Sequence, residues 1–266
     1  MNPGSLLRRR FAGAALLVAI AVSLPGQQDA RARIDALYRQ QRFAEAAEAL
    51  QAYLPAHPRD REARLLLGLC YQLSDEREKA ESVFRQVVET WPDDSRSRYF
   101  LARILYLRGK LAPALEQAAQ ARQLGEPPHL IRNLEGLIYT ESGVFPQALA
   151  AFDEAAQKGP QGFFEADLNA GKLLLRYGRA TEAERRLSKV LDARPGHPEA
   201  LYHRARARLD LRQYAKARQD LEAVLAAGPN PEAAGLLARV EKLRDSPAAV
   251  ASRTIPENVI EDATEG

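Results

Sequence analysis

At 266 residues the chain has room for one large domain, two ordinary ones or an array of repeats. Alanine, leucine, arginine and glutamate dominate while valine, isoleucine and threonine are sparse, a balance that favours helix over sheet. The net charge of +3 is that of Arg8, Arg9 and Arg10, because from residue 27 onward 35 basic residues face 35 acidic ones. The pI of about 9.0 therefore belongs to the leader and is not a nucleic-acid signature, and no nucleic-acid partner is expected.

Read from its start, the chain opens on a basic stretch (MNPGSLLRRR), an apolar stretch (FAGAALLVAIAVSL) and a return to polar sequence. Residues 11–24 would span about 21 Å as a helix, short of the roughly 30 Å hydrocarbon core of a bilayer. Residues 1–26 are therefore expected to be a secretory signal peptide, with an uncleaved inner-membrane tether as the alternative. Cleavage is expected after Ser23 or Gly26, so that the mature chain starts between residues 24 and 29. The string Arg8-Arg9-Arg10-Phe11 resembles a twin-arginine export motif but lacks its flanking residues. Cys70 is the only cysteine, which excludes a lipid anchor on the leader and any intramolecular disulfide. The expected location is the periplasm or cell envelope of a bacterium.

From residue 27 the sequence repeats with a period of 34. Units at 27–60, 61–94, 95–128, 129–163, 164–197 and 198–231 put a small residue at their eighth position five times in six: Gly68, Ala102, Gly136, Gly171 and Ala205. Position 20 is alanine in all six (Ala46, Ala80, Ala114, Ala148, Ala183 and Ala217). Position 24 carries Leu50, Phe84, Ala118, Phe152, Leu187 and Leu221, and position 32 is proline in five units. Each unit reads as two helices in which the small residues at positions 8 and 20 let the backbones approach, Gly136 facing Ala148. Gly109, Gly143 and Gly178 sit at position 15, in the turn between helices, where a positive φ is tolerated. Phe163 is an insertion that creates a Phe163-Phe164 pair, expected as a hydrophobic staple across the junction or as an exposed contact patch.

This pattern closely resembles the tetratricopeptide repeat, which runs Leu-Gly-x-x-Tyr, then Ala-x-x-x-Phe, then Pro. Residues 67–71 (LGLCY), Ala80, Phe84 and Pro92 match it, with Arg64 in place of the usual tryptophan. The resemblance covers about 205 of the 266 residues and implies an all-α, right-handed α-solenoid. After it, residues 232–245 place Ala233, Leu236, Leu237, Val240 and Leu243 on one face, the pattern of a capping helix. Residues 246–266 have no periodicity and carry one arginine against four acids, the composition of a disordered acidic tail.

No catalytic constellation is present. The histidines His57, His129, His197 and His203 form no HExxH, and there is no paired-cysteine spacing, GxGxxG, GxxxxGK or GxSxG. No cofactor and no metal are expected, and the chain is not read as an enzyme. His57 and His197, each before a proline, are expected to be solvated loop residues. Cys70 is expected to be a packed thiol, and acids such as Asp93 and Asp94 to cap helices.

The family resemblance also implies that the first helix of each unit lines a concave face, through positions 2, 5, 9, 12 and 13. Positions 5, 9 and 12 include Arg31, Tyr38, Tyr99, Arg103, Tyr106, Asn133, Thr140, Lys172, Tyr202 and Arg206, with leucines such as Leu65, Leu168 and Leu209 between them. Four bases there face a single acid, Asp35, and arginine and tyrosine are the types that most often anchor interfaces. The expected partner is thus a protein or peptide segment of acidic and apolar character, with membrane contact only through an uncleaved leader. The family's carboxylate clamp is not expected, because its five positions hold Asn133, Leu137, Asn169, Glu199 and His203, one match in five. The resulting expectation is an exported interaction scaffold that assists assembly of a cell-envelope complex. The rivals are an accessory subunit of an envelope enzyme or of a secretion or polysaccharide-export system, and a structural spacer with no groove ligand.

Overall fold

The computed structural model describes residues 25–245, and these are all-α. The expected leader, apart from its last two residues, and the expected acidic tail lie outside the described residues. In chain order the helices are α1 (Pro25–Arg39), α2 (Phe43–Tyr53), α3 (Arg61–Leu73), α4 (Arg77–Thr90), α5 (Ser95–Leu107) and α6 (Leu111–Gln123). There follow α7 (Pro128–Glu141), α8 (Phe145–Lys158), α9 (Glu165–Arg176) and α10 (Ala180–Ala193). The last are α11 (Pro198–Asp210), α12 (Tyr214–Ala227) and α13 (Pro231–Arg244). No described helix is long and apolar enough to cross a membrane.

Each helix packs chiefly on its neighbours in the chain. Beyond that, odd-numbered helices touch the next odd-numbered helix (α5 on α7, α7 on α9, α9 on α11, α11 on α13). The odd helices thus line the tighter inner curve of an α-solenoid, and the even helices form its outer layer. The core runs along the whole array between the two layers, through Ile34, Leu50, Phe84, Ile104, Ile138, Phe152, Leu174, Leu187 and Leu221, all 1% exposed or less.

The close approach inside each helix pair is real, but its partner is not alanine. A Cβ on Gly136 would lie 2.5 Å from Cε1 of Phe152, one on Gly68 2.5 Å from Cε1 of Phe84, and one on Gly171 2.7 Å from Cγ of Leu187. The expectation that Gly136 faces Ala148 is corrected accordingly. The residue over the small position is that at position 24, one turn further along the second helix, and Ala148 is buried beside it.

All six turns within the pairs use the left-handed region, not only the three with glycine. Gly109, Gly143 and Gly178 have φ of 72°, 73° and 72°, and Gln41, Asp75 and Arg212 have 60°, 60° and 58°. Each turn closes with the same backbone bond, from the residue after the left-handed one to the carbonyl five positions back. The six bonds, such as Arg42 N–H to Leu37 and Gln213 N–H to Arg208, are 2.7–3.0 Å long. That bond fixes the chain direction, so non-glycine residues accept a conformation that costs roughly 1–2 kcal/mol.

Side chains tie one unit to the next. Asp60 and Asp94 cap α3 and α5, accepting from Ala63 N–H and Ser97 N–H at 2.9 Å each. Each cap is also held by an arginine one helix pair back, Arg31 on Asp60 at 3.4 Å and Arg61 on Asp94 at 2.9 Å. His197 is not a solvated loop residue, because its Nδ1 accepts from Ala200 N–H at the start of α11. His57 likewise stacks on Tyr53 at 3.9 Å and is half-buried. The inserted aromatic pair behaves as a staple. Half-buried Phe163 sits edge-on to His129 at 4.8 Å, while Phe164 sits edge-on to His197 at 5.2 Å beneath the Arg194 guanidinium. Cys70 is fully buried, and burial pushes its thiol up to about 11.

Candidate functional site

The inner face carries a groove built from the odd helices. One depression, of about 420 Å³, lies where α5, α7, α9 and α11 converge. Tyr106 from α5, Thr140 from α7, Lys172 from α9 and Arg206 from α11 line it together, so four of the ten residues proposed from sequence meet in one place. Its floor is apolar, with Leu137, Leu173 and Leu175, and its rim adds Glu141 and Arg176. Thr140 donates from Oγ1 to the Gly136 carbonyl, which fixes its side chain at the depression's edge. Burial pushes the Tyr106 phenol up, and the Glu141 carboxylate nearby adds to that shift.

Asn133 joins the same wall, its Oδ1 accepting from Nδ2 of Asn169 at 3.0 Å, which locks α7 to α9 at the groove surface. Tyr202 lines a second depression of about 430 Å³ toward α13, together with Glu199, His203 and Arg206. Because His203 and Arg206 border both depressions, the groove continues from α5 to the start of α13. Tyr99 and Arg103 lie further up the same face. The Arg103 guanidinium sits 5.9 Å over the ring of Phe100, and Tyr99 tilts against that ring at 5.6 Å. Burial raises the Tyr99 phenol, while Arg103 beside it works the other way.

The first helices contribute less. Arg31 is drawn into ion pairs with Asp35 at 3.7 Å and Asp60 at 3.4 Å, yet still borders a smaller depression of about 220 Å³ over Leu65, Leu69 and Phe100. Tyr38 packs edge-on to Phe43 at 5.4 Å. Of the leucines expected on this face, Leu168 and Leu209 are 7% exposed and belong to the core.

Sequence reasoning passed over Asn169, Glu199, His203, Arg176 and Glu141 as site residues. Glu199 stands at position 2 of its unit and Glu141 and Arg176 at position 13, so the register held the signal. Asn169 and His203 are at position 6, a turn away from position 2 and on the same helical face. Phe100, the ring on which Arg103 and Arg96 both lie, is at position 6 as well.

A curved stack of helix pairs with a polar, arginine- and tyrosine-bearing groove on its inner layer defines the class of helical-repeat scaffolds. Family models described as tetratricopeptide repeat match residues 31–75, 71–126 and 174–240, and the chain belongs to that family. Among curated proteins it is 28% identical over 200 residues to intraflagellar transport protein 70B of Rattus norvegicus. That alignment takes in 72% of this chain and 30% of the relative, so the chain spans about 30% of the length of the curated relative. Among solved structures it resembles the Cut9–Hcn1 hetero-tetramer of the APC/C, with a TM-score of 0.70 and 17% identity, covering 80% of this chain and 42% of that one. It also resembles PilW, a widely conserved type IV pilus biogenesis factor, with a TM-score of 0.65 and 16% identity over 87% of this chain and all of that one. Identities this low bear on the fold alone.

Proposed function

We propose that the chain is an exported, non-enzymatic interaction scaffold. Its six helix pairs act as one tetratricopeptide array, and its groove takes an extended, acidic and apolar segment of a partner protein. The observation that carries this reading is the convergence of Tyr106, Thr140, Lys172 and Arg206 on one depression with a leucine floor. Cations and phenol groups around an apolar floor suit a segment that alternates carboxylates with aliphatic side chains. The basic-apolar leader is consistent with export, which makes assembly of a cell-envelope complex the process favoured here, and a pilus biogenesis factor shares the fold.

Two measurements test it. A photo-crosslinker at Tyr106 or Arg206 is expected to trap a partner in envelope extracts, whereas one at exposed Gln147 on the outer helix α8 is not. Replacing Tyr99, Arg103 and Tyr106 together by alanine is expected to abolish that capture without loss of helicity, since alanine favours helix. Undiminished capture by the folded triple variant would sink the groove reading. For export, the intact mass of protein from an envelope fraction is expected to place the first residue between 24 and 29. A mass retaining Arg8 to Arg10 in the membrane fraction refutes it.

A further inference from the structure

We propose that Lys172, Glu199, His203 and Arg206 form a seat for one acidic side chain of the partner, and that the seat fills with uptake of a proton at His203. This rests on the groove reading above and adds to it a ligand group and a dependence on pH.

The geometry starts from Glu199. Its Oε1 lies 2.5 Å from Nζ of Lys172 and 3.8 Å from Nε2 of His203. One internal carboxylate therefore stands between two groups that could each hold a carboxylate. Lys172 and Glu199 are both close to half exposed, at 42% and 46%, so their pair is reachable from the groove and is held weakly. Arg206 stands one turn along α11 from His203, exposed and in no ion pair among the described residues. His203 itself is 15% exposed and sits at the junction of the two depressions, and its Nδ1 is buried with no hydrogen-bond partner. A buried polar nitrogen without a protein partner among the described residues is uncommon, and this one lies at the groove.

The surroundings keep His203 neutral. Burial comes first, then the Lys172 ammonium, with Arg206 acting the same way and Glu199 opposing them, and together they lower the imidazole to about 4. Arg176 from α9 borders the same depression, as do Glu141 from α7 and Tyr106 from α5. Tyr202 and the Glu232 carboxylate of α13 border the other side. Before a ligand arrives, Lys172, Arg206 and Glu199 sum to one positive charge. A carboxylate that enters between Lys172 and Arg206 cancels the repulsion those cations exert on His203. His203 can then hold a proton and take over Glu199, which leaves the Lys172 ammonium to the incoming group.

The sign follows from linkage. His203 has the higher pKa in the complex, so the complex binds more protons than the free protein, and affinity rises as pH falls. The rise is confined between the bound value and about 4, with a slope of at most tenfold per pH unit. If the incoming carboxylate outweighs the burial as well as the two cations and brings His203 back to its ordinary 6.5, the gain from pH 7.5 to pH 5.0 is roughly 10- to 30-fold. Glutamate side chains of a partner stay mostly ionised at pH 5.0.

The probe is a blocked hexapeptide of alternating leucine and glutamate, titrated into the full chain by calorimetry at both pH values. Wild type is expected to bind at least about tenfold tighter at pH 5.0. His203→Gln is expected to lose the pH dependence, binding with the same affinity at pH 5.0 as the variant itself shows at pH 7.5. Glu199→Gln is expected to bind tighter at pH 7.5, because the internal competitor is gone. The His203 imidazole, followed by NMR, is expected to titrate near 4 in the free protein and about two units higher with peptide bound. Affinity independent of pH, or a pH profile that survives in His203→Gln, overturns the seat while leaving the groove reading intact. No binding of the peptide at either pH also overturns the seat, whereas loss of the groove reading itself would show as undiminished partner capture by the Tyr99, Arg103 and Tyr106 variant.

Discussion

Gly136 has no side chain because the ring of Phe152 occupies the space a Cβ would fill, 2.5 Å from its ideal position. Phe152 is 1% exposed and walled in by the core, so the ring cannot swing out to make room. Gly136→Ala is therefore expected to destabilise the fold by about 1–3 kcal/mol, despite the gain in helix propensity. The sixth unit carries Ala205 and Leu221 at the same two register positions, both fully buried. A smaller residue over the alanine is thus compatible with this architecture, and Gly136→Ala with Phe152→Leu is expected to lose less than the sum of the two single variants. Denaturant unfolding of the four proteins in the cycle measures the coupling. Additive losses would mean that the glycine and the ring do not share one volume.

Between helices, what decides the structure is partly written in side chains and partly not. Glycine at 109, 143 and 178 announces its turns, but Gln41, Asp75 and Arg212 take the same left-handed φ because a backbone bond demands it. No side-chain signature marks that demand. Arg212→Gly removes a Cβ from a conformation that penalises one, and it loses chain entropy on folding that arginine does not. The balance is expected to be a gain of roughly 0.5–1 kcal/mol in unfolding free energy, read as a higher melting temperature. The 34-residue period was legible because small and large residues must alternate where helices touch. Which large residue covers which glycine was not, because that depends on the relative slide of two helices. For the groove, the helix faces were legible from the register, and Tyr106, Thr140, Lys172 and Arg206 do meet. The ion pairs that turn Arg31 aside and bring Glu199 to Lys172 depend on side-chain reach across units, which spacing along one helix does not encode.

The same reach across elements is seen at Glu81 on α4, whose side chain is 1% exposed. Lys110 at the start of α6 donates to it at 2.8 Å and Arg108 at the end of α5 at 2.5 Å, with Arg85 from its own helix. Burial opposes its ionisation, but the Lys110 and Arg108 hydrogen bonds outweigh that and hold the carboxyl below its usual range. A carboxyl with a depressed folded pKa contributes stability above its unfolded value and loses it as pH falls through the folded value. Glu81→Gln is accordingly expected to cost about 2 kcal/mol at pH 7 and less at pH 3. Melting curves at the two pH values check this, and an equal loss at both would assign the cost to packing instead of charge.

At the scale of the whole molecule, the array has no single centre, because each helix meets only its neighbours and the second-nearest inner helix. Stability then propagates from interface to interface, and the ends matter in a way they do not in a compact domain. At the C-terminal end α13 lies on α12 and touches α11, burying Ala233 and Val240 fully and Leu236 and Leu237 in part. Leu221 and Val224 of α12, 0% and 3% exposed, belong to the same core cluster as Ala233 and Val240. Asn230 fixes where this helix starts, its Oδ1 accepting from Ala233 N–H at 2.9 Å. A chain ending at Asn230 is expected to lose about 2 kcal/mol, the apolar burial of α13 less the entropy of ordering it. The loss should also be local. Hydrogen exchange is expected to accelerate in α12 and then in α11, while α1 to α8 keep their protection, since nothing in α13 reaches them. Uniform acceleration along the chain would show instead that the helix pairs unfold as one cooperative block, and that neighbour-by-neighbour coupling is the wrong description of this solenoid.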